Sequence, residues 1–417
     1  MLLLFKPWLH GVDPVGYYAW LRSAVVDYDL DTTNEFRHFG LDDQVFPSPS
    51  GSNRNPYAVG SSVLWSPFFL SAHLVSAILG WPIDGYAPTP ILMASLASSL
   101  YALVGLWLAY SVAAGLFGAQ AALWATLAVW WSTPLLFYMY CHPLMSHAND
   151  AFANAVVLAV WWHTRTRRSN AQWLALGMAI GLAALVRLQN LVLVFLPVTE
   201  TLLTPGVPIR RIAWNACLCI AGLLCVFSLQ MVAWEAAYGQ LLPGNPYAVH
   251  RSRFNLSAPR LPKLLWSSGR SLILWSPIAY AAFVGVVRCA LRREAAVGVP
   301  ILVVGAAQLY IVGSWGGWDG GASFGARLLV GATPLWMLGV AALIDAFRQP
   351  RRRLWFGLAG GVLVMWNLLL MAQYIVGLVP HAGRIDVPEL LRNQVRVPLV
   401  VLQRLPDLLD QRFHSWR

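Results

Sequence analysis

The stretch Ile91-Leu-Met-Ala-Ser-Leu-Ala-Ser-Ser-Leu-Tyr101-Ala-Leu-Val-Gly-Leu-Trp-Leu-Ala-Tyr110-Ser-Val-Ala-Ala-Gly-Leu-Phe117 contains no charged residue. It is longer than the roughly 20 apolar residues that cross a bilayer. Comparable runs follow at about 119–137, 147–163, 171–187, 189–204, 211–236, 271–288, 295–313, 327–347 and 354–379, with a further run at 61–80. Of the 417 residues, 58% are hydrophobic and only 11% charged, where a soluble domain carries about a quarter charged. Mean hydropathy is +0.57. These values exclude a soluble multidomain protein, a disordered chain, a collagen-like fibre and a disulfide scaffold. The predicted class is an all-α polytopic membrane protein of about 11 transmembrane helices.

The net charge of +11 belongs to the membrane rims and does not imply nucleic acid. Arginines cluster in four short loops: Arg165, Arg167 and Arg168; Arg210 and Arg211; Arg288, Arg292 and Arg293; Arg348 and Arg351 to Arg353. The short loops 138–146 and 314–326 hold none. The positive-inside rule places the clusters in the cytoplasm and 10–90, 138–146, the Arg187 turn, 237–270, 314–326 and the tail 381–417 outside. That alternation leaves 61–80 with both ends outside, so this run is expected to lie on the outer face as a juxtamembrane helix. The first ten residues are too short to span and read as the end of a first helix. The five cysteines form no CxxC pair, so neither a disulfide framework nor a zinc site is expected.

The chemistry-bearing residues collect in the outer segments. Asp13 precedes Pro14 where a membrane helix gives way to a loop; it reads as a base in a poorly solvated boundary or as a helix cap, and spacing alone favours the cap. Tyr17 and Tyr18 follow. Asp27, Asp29 and Asp31 alternate, which suits a divalent cation if the stretch is extended and a hydrogen-bonded rim if it turns; the rim is favoured. Glu35 is a second candidate base. Arg187 sits between two apolar runs with no loop, costly unless it meets an anion such as a lipid phosphate. His147 opens a helix with Ser146, Asn149 and Asp150, which also read as plain capping and dipole residues. The loop 237–270 carries Arg251 and Arg253 among aromatics. In Trp315-Gly-Gly-Trp318-Asp319-Gly-Gly-Ala-Ser-Phe-Gly-Ala-Arg327, glycines allow close backbone approach to a ligand and tryptophans offer faces for a sugar.

In this order the pieces resemble the GT-C superfamily of membrane glycosyltransferases, in the branch of protein O-mannosyltransferases and aminoarabinose transferases. Asp13 falls at the family's catalytic acidic position, although Pro14 replaces the usual second acid. Ser66-Pro67-Phe68 resembles the family's Pro-Pro-Leu motif, and Leu185-Val186-Arg187 its Leu-Thr-Lys turn at the donor phosphate. His147 stands where relatives often have an acid. The resemblance implies a GT-C-like transmembrane domain over 1–380. It implies transfer of a sugar from a polyprenyl phosphate to a hydroxyl or amine of a lipid, glycan or protein, by inverting displacement on the extracytoplasmic face of a bacterial inner membrane. Asp13 would be the base. Arg187, Arg327, Arg251 and Arg253 would hold the phosphate. Tyr17, Tyr18, Glu35, His147, Trp315, Trp318 and Asp319 would line the substrate site. No cofactor is required by the branch; Asp27, Asp29 and Asp31 leave a metal open. A lipid-linked-sugar flippase would instead need charges at mid-span, which are few here. A non-catalytic assembly subunit is the other alternative.

Overall fold

The computed structural model describes residues 5–49, 51–165, 167–250, 253–292, 294–347 and 349–414. Among them the chain is helical, with only isolated bridges at Pro47–Asn53 and Phe254–Trp315 in place of strands. The first polar region holds α1 (Val12–Arg22), α2 (Thr33–His38) and α3 (Gly60–Leu79). The bundle follows with α4 (Pro88–Phe117), α5 (Ala119–Trp131), α6 (Leu135–Tyr140), α7 (His147–Thr164), α8 (Asn170–Val186), α9 (Phe195–Leu202) and α10 (Ile209–Tyr238). It continues with α11 (Leu261–Trp266), α12 (Leu272–Trp275), α13 (Ile278–Arg292), α14 (Ala295–Ser314), α15 (Thr333–Ala346) and α16 (Pro350–Ile375), and ends with α17 (Val387–His414).

The predicted apolar runs all become helical segments, as expected of an all-α membrane protein; the count of about 11 spans is not confirmed. By length and hydropathy, six described helices are able to cross a bilayer: Gly60–Leu79, Pro88–Phe117, Ile209–Tyr238, Ala295–Ser314, Arg327–Ala346 and Leu354–Ile375. Three of the runs are interrupted along their length. The 119–137 run breaks at Ser132–Pro134, and the 271–288 run breaks at Ser276–Pro277, where proline cannot continue a hydrogen-bonded turn. The 189–204 run opens as a 3-10 turn over Leu188–Val194.

Helices approach through small residues, as is usual where lipid supplies no hydrophobic drive. A Cβ on Gly177 of α8 would stand 1.9 Å from the Cys219 carbonyl of α10, and one on Gly222 would stand 2.1 Å from the Leu174 carbonyl. Gly285 of α13 and Gly339 of α15 meet in the same way. At the Arg165–Arg168 loop, buried Glu200 accepts Arg168 Nη1 at 2.6 Å and Trp161 Nε1 at 3.0 Å, tying α9 to α7.

The N-terminus of α3 abuts the end of α8: a Cβ on Gly60 would stand 2.3 Å from the Val186 nitrogen. From there α3 runs beside α1 and the first half of α4, with Trp65 Nε1 donating to Ser98 Oγ at 2.7 Å and Ser62 Oγ to the Tyr17 carbonyl. These contacts bring the start of α1 and the Arg187 turn to one end of the bundle, and Gln189 Nε2, donating to the Leu328 carbonyl, ties the segment after the 314–326 loop to the same end.

Candidate active site

Asp13 lies in the first turn of α1, after Gly11, whose φ of 86° starts the helix. Its carboxylate has two partners. Tyr57 Oη donates to Oδ1 at 2.8 Å, and Arg327 Nη1 donates to Oδ2 at 2.6 Å. Tyr57 is held on every side. Its backbone N–H donates to Asn55 Oδ1, Asn55 Nδ2 donates to the Gly16 carbonyl, and Trp20 Nε1 donates to the Tyr57 carbonyl at 2.9 Å. The ring lies directly over Gly16, where a Cβ would stand 2.0 Å from Cδ2, and edge-on to Tyr17 at 5.1 Å.

The second half of the site is built on α7 and the α8 end. Arg187 adopts φ −152°, ψ 122°, which ends α8 and sends the side chain across to α7. Its Nη1 donates to Ser146 Oγ at 3.1 Å and lies 3.4 Å from His147 Nδ1. Its Nε stands 3.5 Å from Oδ2 of the fully buried Asp150. Oδ1 of Asp150 accepts from Asn190 Nδ2 at 2.7 Å and Asn154 Nδ2 at 2.9 Å. Asn190 also donates to the Ala183 carbonyl. Gln189 Nε2 reaches the Leu328 carbonyl at 2.7 Å, fixing the Arg187 turn against the Arg327 turn. The Tyr17 hydroxyl neighbours Ser146 and joins the halves.

Burial alone pushes the Asp13 carboxyl up. The Arg327 charge, the Tyr57 and Arg327 hydrogen bonds and the Arg187 charge outweigh it and hold the group below the usual carboxylate range. Asp13 is therefore ionised, with Arg327 in contact and Arg187 near enough to be felt. Tyr247 belongs to the same field: burial pushes its hydroxyl up, and Tyr17, Arg187, Asp13 and Arg327 all act on it. Two arginines face two carboxylates, so an arriving anion needs only to draw an arginine from its acid.

Several sequence-predicted residues lie elsewhere. Tyr18 faces a different side of α1; its hydroxyl donates to the Gly85 carbonyl at 2.7 Å and its ring packs on Phe69. Glu35 is buried against Arg22, whose Nη1 donates to Oε1 at 2.8 Å and also to Asp27. The three aspartates do not converge: Asp29 accepts from Ser23 Oγ, Asp31 from Thr33 and the Asn53 backbone, Asp27 from Arg22 and Asn34. No cluster of three or more His, Cys, Asp or Glu suited to a metal occurs among the described residues. Asp319 caps Gly321, and Trp318 packs on the cluster around Leu264 and Leu328. The Arg253 carbonyl accepts from Gly316 while its side chain is exposed; Arg251 lies outside the described residues. The Trp315 ring is 5.7 Å from that of Tyr247. Tyr57 was not singled out in the sequence. Its signal is Asn55-Pro56-Tyr57, an Asx turn that aims one aromatic.

No protein-family model and no curated protein matches this chain. Solved structures do. ArnT from Cupriavidus metallidurans in the apo state superposes with a TM-score of 0.55 at 18% identity, over 99% of this chain and 68% of that one. The same protein bound to undecaprenyl phosphate gives 0.53 at 16% identity, over 99% and 69%. The fold is ArnT-like. ArnT is an aminoarabinose transferase of the GT-C superfamily, so the fold expected from Asp13, Ser66-Pro67-Phe68 and Leu185-Val186-Arg187 is the fold found. Within this ArnT-like frame Asp13, Tyr17, Tyr57, Ser146, His147, Asp150, Arg187, Tyr247 and Arg327 form one polar cluster.

Proposed function

We propose that this chain is a membrane glycosyltransferase that takes a sugar from a polyprenyl phosphate and transfers it to an acceptor hydroxyl or amine. The observation that carries the reading is the ionised Asp13 in contact with Arg327 and under the influence of Arg187. The undecaprenyl phosphate bound by the ArnT-like relative supports the donor class.

The donor phosphodiester is an anion, and guanidinium groups bind it through paired N–H donors. Its arrival draws Arg327 from Asp13 and leaves the carboxylate free for the acceptor. Asp13 removes the acceptor's proton as the acceptor oxygen or nitrogen bonds to the anomeric carbon. The bond from that carbon to the phosphate oxygen breaks, and its electron pair stays on the phosphate. Arg327 and Arg187 stabilise the charge that develops there. One displacement inverts the anomeric configuration. Tyr17, His147, Tyr247 and Trp315 form the rim that receives the sugar.

The arginine loops at the other end of the bundle support an orientation with the site on the extracytoplasmic side of a bacterial inner membrane. In that orientation α3 lies along the outer surface beside α1.

The test is transfer from radiolabelled polyprenyl-phosphate sugars to a membrane lipid and glycan extract by the purified protein. Wild type transfers, and Asp13→Asn transfers at least about 10²-fold more slowly. Absence of transfer by wild type with every donor class sinks the reading, and liposome flipping of the same donors then becomes the measurement.

A further inference from the structure

Helix α17 divides its surface into three parts. Leu390, Asn393 and Val397 are buried at 1%, 6% and 0% exposure and pack on the protein. Glu389, Arg392, Arg396, Gln403 and Asp407 are exposed and share a second, polar side. Leu391, Val395, Leu399 and Leu402 are 50%, 80%, 65% and 65% exposed and recur at i, i+4, i+8 and i+11, one stripe on a third side. Leu405 extends it at 43%. A stripe of four large aliphatics left open to water is costly, at roughly 25 cal/mol per Å² of apolar surface.

The placement of α17 says what covers it. Gln373 Nε2 donates to the Leu390 carbonyl at 3.3 Å, and Arg404 Nη1 donates to the Val376 carbonyl at 2.8 Å. Leu390 and Arg404 are about 21 Å apart along a helix axis. Both nevertheless meet the same last turn of α16, so α17 passes across the end of α16 and does not run down its side. The outer part of α16, Leu354–Ile375, is itself able to span a bilayer. Its end packs against the active-site loop: the Tyr374 ring is 5.4 Å from that of Phe324, and the buried Arg270 bonds Ser323, Pro380 and Gly383 carbonyls together. A helix lying across the end of a spanning helix lies at the level of the membrane surface.

We infer that α17 is an interfacial helix, its Leu391–Val395–Leu399–Leu402 stripe seated among lipid acyl chains and its Arg392–Arg396 side at the headgroups. The occupant of the apolar stripe is the bilayer and not a second copy of the chain. Pro398 and Pro406 fall on the exposed side beside the stripe and interrupt the regular knobs that a helix pair needs. Arg392 and Arg396 border the stripe with charges suited to lipid phosphates. The helix thereby fixes the depth of the loop that carries Arg327, through Arg270 and the 380–383 segment.

The test places nitroxide labels on single cysteines at Val395, Leu399, Arg396 and Gln403, one at a time, with the exposed Cys217 and Cys225 replaced by serine. The full chain is reconstituted in vesicles of phosphatidylcholine and phosphatidylglycerol. Positions 395 and 399 are expected to collide more with oxygen, which concentrates in acyl chains, and positions 396 and 403 more with a water-soluble nickel chelate. Equal water access at all four positions overturns the inference. So does dipolar broadening at 399 that disappears on dilution with unlabelled protein, which assigns the stripe to a second copy. Both readouts are independent of transfer, so they stand or fall apart from the glycosyltransferase reading.

Discussion

Arg327 Nη1 meets Asp13 Oδ2 at 2.6 Å across 314 residues of sequence, and this pair sets the protonation of the group assigned as base. Asp13→Asn keeps the shape and removes the proton acceptor, so transfer is expected to fall by about 10²- to 10⁴-fold. Arg327→Gln removes the largest influence that lowers the Asp13 carboxyl. Its pKa then rises, so the acid limb of the pH–rate profile moves to higher pH, together with a loss in maximal rate. A profile whose acid limb stays in place in Arg327→Gln contradicts the pairing.

Tyr57 and Gly16 form a second pair with separable effects. Tyr57→Phe removes one hydrogen bond to Asp13 and keeps the ring, at a cost of about 0.5–1.5 kcal/mol and a small upward movement of the same acid limb. Gly16→Ala places a methyl 2.0 Å from the Tyr57 ring, inside any tolerable contact, so the ring must move. Transfer in Gly16→Ala is expected to fall below that of Tyr57→Phe although Gly16 has no reactive group. Thermal unfolding in detergent checks that the helix bundle persists.

Asp150 exists in this site to hold Arg187. Its side chain is fully buried, with both neighbouring asparagines feeding Oδ1 and the arginine facing Oδ2. Breaking a buried ion pair from one side costs about 3–5 kcal/mol. Arg187→Gln and Asp150→Asn are each expected to lower the unfolding temperature, and the double variant by less than their sum. Additive losses in that cycle contradict a direct pairing.

The fold was legible because the apolar runs and arginine loops are one-dimensional signals. The breaks at Ser132–Pro134 and Ser276–Pro277 and the 3-10 turn at Leu188 were not legible, because they lie inside runs that hydropathy averages over. In the site, Asp13, Arg187 and Arg327 stood out as charges at membrane boundaries. Tyr18 did not separate from Tyr17, since neighbours on a helix look alike in sequence yet point about 100° apart and meet different walls. Asp150 read as a dipole residue because its partner is 37 residues away, and Tyr57 was passed over because the Asn55-Pro56-Tyr57 turn does not say in sequence which group the ring will meet. Glu35 looked like a second base because its partner Arg22 lies in another helix.

Glu35 supplies a stability signature instead. Burial pushes its carboxyl up to about 7, and the Arg22 hydrogen bond and charge only partly oppose the rise. In the unfolded chain the group titrates near 4.5. Between those values the folded state binds the proton and the unfolded state does not, so stability falls as pH rises. The contribution is fully present below about 4.5 and is lost as pH passes through about 7. Glu35→Gln carries the neutral form at every pH and is expected to flatten this slope while leaving the Asp13-controlled acid limb of transfer in place. Unfolding temperatures of both proteins from pH 4 to pH 8 provide the measurement. Equal slopes in wild type and Glu35→Gln would assign the pH dependence to another group and leave Glu35 ionised beside Arg22.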